Sequence, residues 1–244
     1  LFYDGSLPFL TAQGVIQGNI IKNCNRRAIK IQASDVKVTD NTHINTLLVS
    51  DVPNASTVIN VIQSNNVVVQ NNTIDASLFI GISVTGTASV IGNRCTIKDN
   101  IIKSSTTKAG IYFDYLADSQ IEGNTIYEGS TGISGSNSAN LSVSENTLYG
   151  GTSIASGYAM NFVANNSMLV VRGNKAPKGQ RQYMINNASP DALIQDNYGN
   201  LGAGLILTSS TATGSCYKNN VNAGPGAPIT GTQTEQLVEG NVNM

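Results

Sequence analysis

The side chains with the clearest capacity for chemistry lie in one segment, Gly110-Ile-Tyr-Phe-Asp-Tyr-Leu-Ala-Asp118. Its alternation reads as a short strand with Ile111 and Phe113 directed inward and Tyr112 and Asp114 outward. Tyr115 and Asp118 fall in the following turn. An outward tyrosine beside a carboxylate suits a sugar: the ring covers a C–H face and the carboxylate accepts from hydroxyls. The loop that feeds this strand brings Lys108, and the next loop brings Glu128. Glycoside hydrolysis needs two carboxyl groups, ~5–5.5 Å apart for retention and ~6.5–9.5 Å for inversion. Asp114 and Glu128 are the candidate pair across neighbouring repeats, with Asp118 as a further acid. The alternative is that Asp114 and Asp118 are solvated turn acids with no chemistry to perform.

A second cluster is Arg26-Arg27-x-x-Lys30, with His43 and Asp51 nearby in sequence. Arg27 and Lys30 could hold the carboxylate of a uronate or sialate; the alternative is ordinary surface charge. His43 is the sole histidine and lies next to an Asn turn, where a structural or solvated role is expected. Cys24, Cys95 and Cys216 are far apart, show no C-x-x-C spacing and are odd in number, so small buried thiols are expected rather than a disulfide framework. There is no G-x-S-x-G, no H-E-x-x-H, no P-loop and no Cys/His cluster. No metal and no cofactor is expected.

What must position these residues is a repeat. The pattern apolar, any, apolar, two residues, Asn, any, apolar recurs along the chain. Its copies carry Asn41, Asn72, Asn100, Asn146, Asn174 and Asn197, with a weaker copy at Asn124 and degraded copies at Asn220 and Asn241, and Gly18-Asn19-Ile20 matches its second half. Upstream of each copy lies another alternating stretch, such as Gly81-Ile-Ser-Val84 or Gly132-Ile-Ser134. Each unit thus supplies three short strands joined by Asn-, Gly- and Ser-rich turns. One unit cannot bury its own apolar side, but stacked units share a continuous core. The expectation is an all-β, single-stranded parallel coil of about ten turns, a rod ~45–50 Å long at the ~4.8 Å strand spacing. The Asn is expected at the turn between the second and third strands, in left-handed geometry, with its amide paired to the Asn above and below.

Composition agrees. Of 244 residues 30 are Asn and 24 are Gly, and Asn is poor in helix interiors. Charged residues are 12%, about half the usual ~25%, and the net charge is −1. Such a chain lacks the electrostatic footprint of a nucleic-acid binder, and no apolar run approaches the ~20 residues of a membrane span. Residues 1–14 read as a lead-in and 15–244 as the coil. An uncapped first turn would expose a sheet edge, so either more chain upstream or a partner is expected to cover it. Tyr127 and Tyr149 should stack on each other, Asp75 should pair with Lys103, and Lys98 with Glu122.

Registered this way, roughly residues 15–244 resemble the right-handed parallel β-helix of the pectate-lyase-like superfamily. The same G-I-x-V … V-x-V-x-x-N-x-I pattern resembles the central shaft of bacteriophage tailspikes. The resemblance implies a substrate polysaccharide lying lengthwise on the first strand of each turn. There the outward residues are Lys30, Asn60, Ser83, Tyr112, Ser134 and Asn161, so Asn60, Ser83, Tyr112, Tyr115, Asn161, Lys108, Arg27 and Lys30 are the candidate contacts. The G-H-G and R-I-K motifs of the polygalacturonase branch are absent, as is the D-P-H motif of the alginate-epimerase branch. The resemblance implies a polysaccharide-recognising part of a homotrimeric tailspike, located in the virion or outside the cell, binding bacterial surface polysaccharide and acting as a depolymerase of capsule or O-antigen. The alternatives are a secreted lyase or hydrolase working as a monomer, and a non-catalytic adhesin or spacer.

Overall fold

A computed structural model of the chain describes residues 2–4, 13–48, 56–104, 107–127, 131–150, 157–163, 165–177, 183–231 and 237–244. Among these there is no helix. The strands form three sheets, each a path of ten strands in which every neighbour comes from the adjacent repeat and pairs in parallel. The chain therefore visits each sheet once per turn. A short extra strand, Gly92–Asn93, also joins the second sheet beside Leu116–Glu122. Phe2–Asp4, inside the stretch read as a lead-in, pairs with Lys30–Gln32 and so belongs to the first sheet.

Period-2 alternation sends one set of side chains inward and stacking puts like on like. In the first sheet Ile29, Ile59, Ile82, Ile111, Ile133, Met160, Ile185 and Ile206 form one row in register. In the second sheet Ile97, Ile121, Val143, Val171 and Ile194 form another. These residues are buried in one continuous core. A neighbouring row reads Val84, Phe113, Gly135, Phe162. The missing side chain at Gly135 lets the rings of Phe113 and Phe162 approach to 6.3 Å between centroids across two turns of the coil.

The Asn ladder runs unbroken from Asn19 to Asn241. At each step the backbone N–H and Nδ2 of one Asn both donate to Oδ1 of the next, at 2.8–3.2 Å. The left-handed residue, however, is the one before each ladder Asn: Gly18, Asp40, Asn71, Asp99, Gly123, Glu145, Gly173, Asp196, Asn219 and Gly240 all have φ between 52° and 68°. This corrects the expectation of left-handed Asn residues. The preceding residue makes the bend, which frees the Asn to turn its amide into the interior.

Tyr127 and Tyr149 stack at 4.9 Å with 5° between their planes. Asp75 and Lys103 are neighbours in register but form no ion pair within 4.0 Å. Lys98 stands beside Glu122 in register, yet its ion pair, at 3.9 Å, is with Asp99. Both lysines are long enough to reach water instead, and such surface pairs are worth little.

Candidate functional site

The coil turns the outward residues of the first sheet into a straight row. Lys30, Asn60, Ser83, Tyr112, Ser134, Asn161, Asn186, Leu207 and Thr230 follow one another in register. At ~4.8 Å per step the row is ~38 Å long. Amides, hydroxyls and one phenol dominate it. Asn60 and Ser83 are closed off from solvent, 7% and 5% exposed, and Asn60 Oδ1 is buried without a hydrogen-bond partner. Lys30 Nζ donates to Gln32 Oε1 at 2.8 Å, and Asn186 Nδ2 donates to Asn161 Oδ1 at 2.8 Å.

Asp114 ends the strand Ala109–Asp114, half-buried beside Tyr112. The next turn of the coil holds its Oδ1: Ser136 Oγ and Asn137 Nδ2 each donate to it at 2.9 Å. Burial, and then the charge of Asp114, push the Tyr112 phenol above its ordinary range, so it remains a neutral donor. Tyr115 follows in left-handed geometry, φ 52°, and makes the bend toward the second sheet. Lys108 is exposed in the turn before the strand. Glu128, the other half of the expected carboxylate pair, lies outside the described residues.

Asp118 belongs to a different column. Like Asp35, Asn66, Arg94, Asn140 and Asp191 it is left-handed, but it lies inside the strand Leu116–Glu122 rather than in the turn expected of it. Asn140 Nδ2 donates to Asp118 Oδ1 at 2.6 Å, as Asn66 Nδ2 donates to Asp35 Oδ1 at 2.7 Å three turns earlier. Asp118 also borders a groove of about 310 Å³ on the outer face of the second sheet. Ser142, in the strand Ala139–Ser144, lies in the groove between Gln120 and Val170 of the flanking strands. Asp118 and Asn140 stand at one end and Arg172 at the other. Arg172 was not singled out in the sequence. Nothing in one repeat distinguishes it from a solvated arginine, and only the register of three turns of unequal length brings it opposite Asp118.

Arg27 is half-buried, with Nε buried and unpartnered. His43 is not a turn residue: it occupies an inward position in the strand Thr42–Ile44, stacked between Ile21 and Ile74. Its Nδ1 lies 2.8 Å from Asp75 O and its Nε2 3.2 Å from Cys24 Sγ, with Phe79 edge-on at 6.0 Å. A carbonyl can only accept, so Nδ1 carries the proton and Nε2 accepts from the thiol. Burial pushes the imidazole below its ordinary value against the opposing pull of Asp75. The unfolded imidazole titrates near ~6.5 and the folded one lower, so between the two values the unfolded chain binds more protons. Stability is therefore full above about pH 6.5 and declines as the pH falls below it. Urea unfolding of the wild type and of His43→Leu across this window checks the point: the wild-type midpoint falls on acidification, and the variant lacks that component.

Among the described residues no group of three or more His, Cys, Asp or Glu side chains could hold a metal ion, and no helix is long and apolar enough to cross a membrane.

No curated protein matches the sequence. Solved structures do match the coil. DFA-IIIase from Arthrobacter chlorophenolicus A6 without its lid superposes with a TM-score of 0.64 at 15% identity, over 89% of this chain and 55% of that one. The same enzyme in complex with DFA-III gives 0.56 at 12% identity, over 93% and 58%. PfbA, a surface adhesin of Streptococcus pneumoniae, gives 0.56 at 14% identity, over 88% and 62%. The chain spans about half the length of the first DFA-IIIase structures it matches, and at these identities the likeness is one of fold. The family model for the right-handed β-helix region matches residues 49–242. With three parallel sheets, an unbroken Asn ladder and a match over most of its length, the chain belongs to the right-handed β-helix family.

Proposed function

We propose that this chain is a polysaccharide-recognising shaft that works outside the cell, with bacterial surface polysaccharide as its partner. The observation that carries the reading is the first-sheet row: its solvent-accessible stretch, a straight and mostly polar file from Tyr112 to Thr230, matches an extended polymer better than a compact ligand. The chain's low charge favours hydroxyl-rich ligands over polyanions such as nucleic acid. The fold is shared by an enzyme crystallised with DFA-III and by a surface adhesin, so it carries both kinds of role. The finer reading is the shaft of a homotrimeric phage tailspike, with Asp114 acting together with Glu128 or Asp118 to depolymerise the bound chain. The non-catalytic adhesin reading draws on a specific observation: both Asp114 and Asp118 are engaged by amides of the next turn, as bend carboxylates are.

Binding of the purified chain to capsular and O-antigen polysaccharides tests the proposal, with Tyr112→Ala as the variant. Loss of the ring contact should weaken binding about tenfold, the scale of one stacking interaction at ~1–1.5 kcal/mol. Unchanged affinity would remove the first-sheet row from recognition. Turnover is read on the same samples as new reducing ends. Depolymerase activity that survives Asp114→Asn intact would exclude Asp114 from the mechanism, and mass in solution separates a trimer from a monomer.

A further inference from the structure

We infer that the second-sheet groove is a subsite for a carboxylated sugar residue, with Arg172 holding the carboxylate; this rests on the saccharide reading above but uses a different face of the coil. The groove covers three turns. From the level of Asp118 to that of Arg172 it runs four residues along the strands, ~13 Å at ~3.3 Å per residue. Its volume of about 310 Å³ is at the small end of the ~300–1,000 Å³ range of small-molecule sites.

The charges in it are separated. Arg172 is the one cation among the lining residues, and its guanidinium has no ion pair or hydrogen bond among the described residues. At the opposite end Asp118 is oriented by Asn140, which leaves its second oxygen to accept from a ligand. Between them Gln120 and Ser142 offer an amide and a hydroxyl, and Val170 offers an aliphatic surface for C–H groups. A guanidinium binds a carboxylate through two parallel N–H donors. A polymer with a negative charge on every unit would meet repulsion at Asp118. The ligand that fits both ends is neutral and hydroxyl-rich over Asp118 and bears one carboxylate over Arg172, as a uronate joined to a neutral sugar does. A sulfated sugar shares the charge and can also present two oxygens to the guanidinium, so the test compares the two anions directly.

The test uses an oligosaccharide with one uronate per repeat, the same oligosaccharide with its carboxylate reduced to the primary alcohol, and a sulfated neutral glycan. The wild-type chain should bind the acid form at least tenfold more tightly than the reduced form. Arg172→Gln should bring the acid and reduced forms to the same affinity, Arg172→Lys should keep part of the preference, and Tyr112→Ala should weaken both forms alike. Equal wild-type binding of acid and reduced forms overturns the subsite and leaves the first-sheet reading standing. So does a preference that survives in Arg172→Gln, or sulfated glycan held more tightly than the acid form. No binding to any of the three overturns both readings. Arg172 is exposed, so its variants should keep the wild-type unfolding midpoint.

Discussion

Replacing Asn146 by Ala should cost about 4 kcal/mol of stability, far more than the loss of one hydrogen bond. Asn146 is fully buried in the middle of the ladder. Its Nδ2 donates to Ile121 O at 3.0 Å, Ser144 O at 3.0 Å and Asn174 Oδ1 at 2.9 Å. Its Oδ1 accepts from the backbone N and from Nδ2 of Asn124, both at 2.9 Å. Alanine leaves all five groups buried and without this partner. A buried polar group stripped of its partner costs ~1–3 kcal/mol, and partial relaxation and repairing among the survivors reduces the sum. Asn146→Asp should be at least as damaging, because a carboxylate cannot donate to the two carbonyls it faces. Asn19→Ala, at the half-exposed end of the ladder, should cost less than half as much because water replaces the lost partner. Chemical denaturation of the three variants measures this, and a loss at Asn146 no greater than at Asn19 would mean that the ladder is ornamental.

Gly135→Ala should cost about 2–3 kcal/mol, although it adds one methyl group to a fully apolar environment. A Cβ at Gly135 would overlap three ring atoms of Phe113. Phe113 cannot swing away freely, since it is fully buried and its ring already leans toward Phe162. Forcing extra volume into a packed core typically costs ~1–3 kcal/mol. The mechanism is overpacking rather than helix or strand propensity, so Phe113→Leu should rescue part of the loss, and the two changes should be non-additive in a double-mutant cycle. Additive losses would place the strain elsewhere.

The sequence made the coil legible because its signal is positional. An Asn recurring in phase through nine copies, six of them with a full apolar pair, specifies which residues stack, and the sheets reproduce that register pair by pair. The geometry of the bend was less legible. Asp, Asn, Gly and Glu all occupy the position before the ladder Asn, so no single residue type marked it as left-handed. His43 misled for a related reason. A polar residue beside an Asn turn looks like part of the turn, yet strand parity places it inside, and the interior tolerates it because Asp75 O and Cys24 satisfy both ring nitrogens. Asp114 and Asp118 were visible as acids near an outward tyrosine. That each is engaged by an amide one turn later was hidden, because the partner lies 22 or 23 residues away. Arg172 was missed because a groove on a solenoid face is a property of three successive turns and is visible in none of them alone.

The central claim is that a polymer lies along the first-sheet row. Affinity measured against a graded series of oligosaccharides from one bound polysaccharide tests it most directly. With Asn60 and Ser83 buried, the row predicts that affinity climbs with each added sugar until the ligand spans the ~24 Å from Tyr112 to Thr230, then levels off. Affinity independent of length, already saturated by a single repeat, would contradict an extended site.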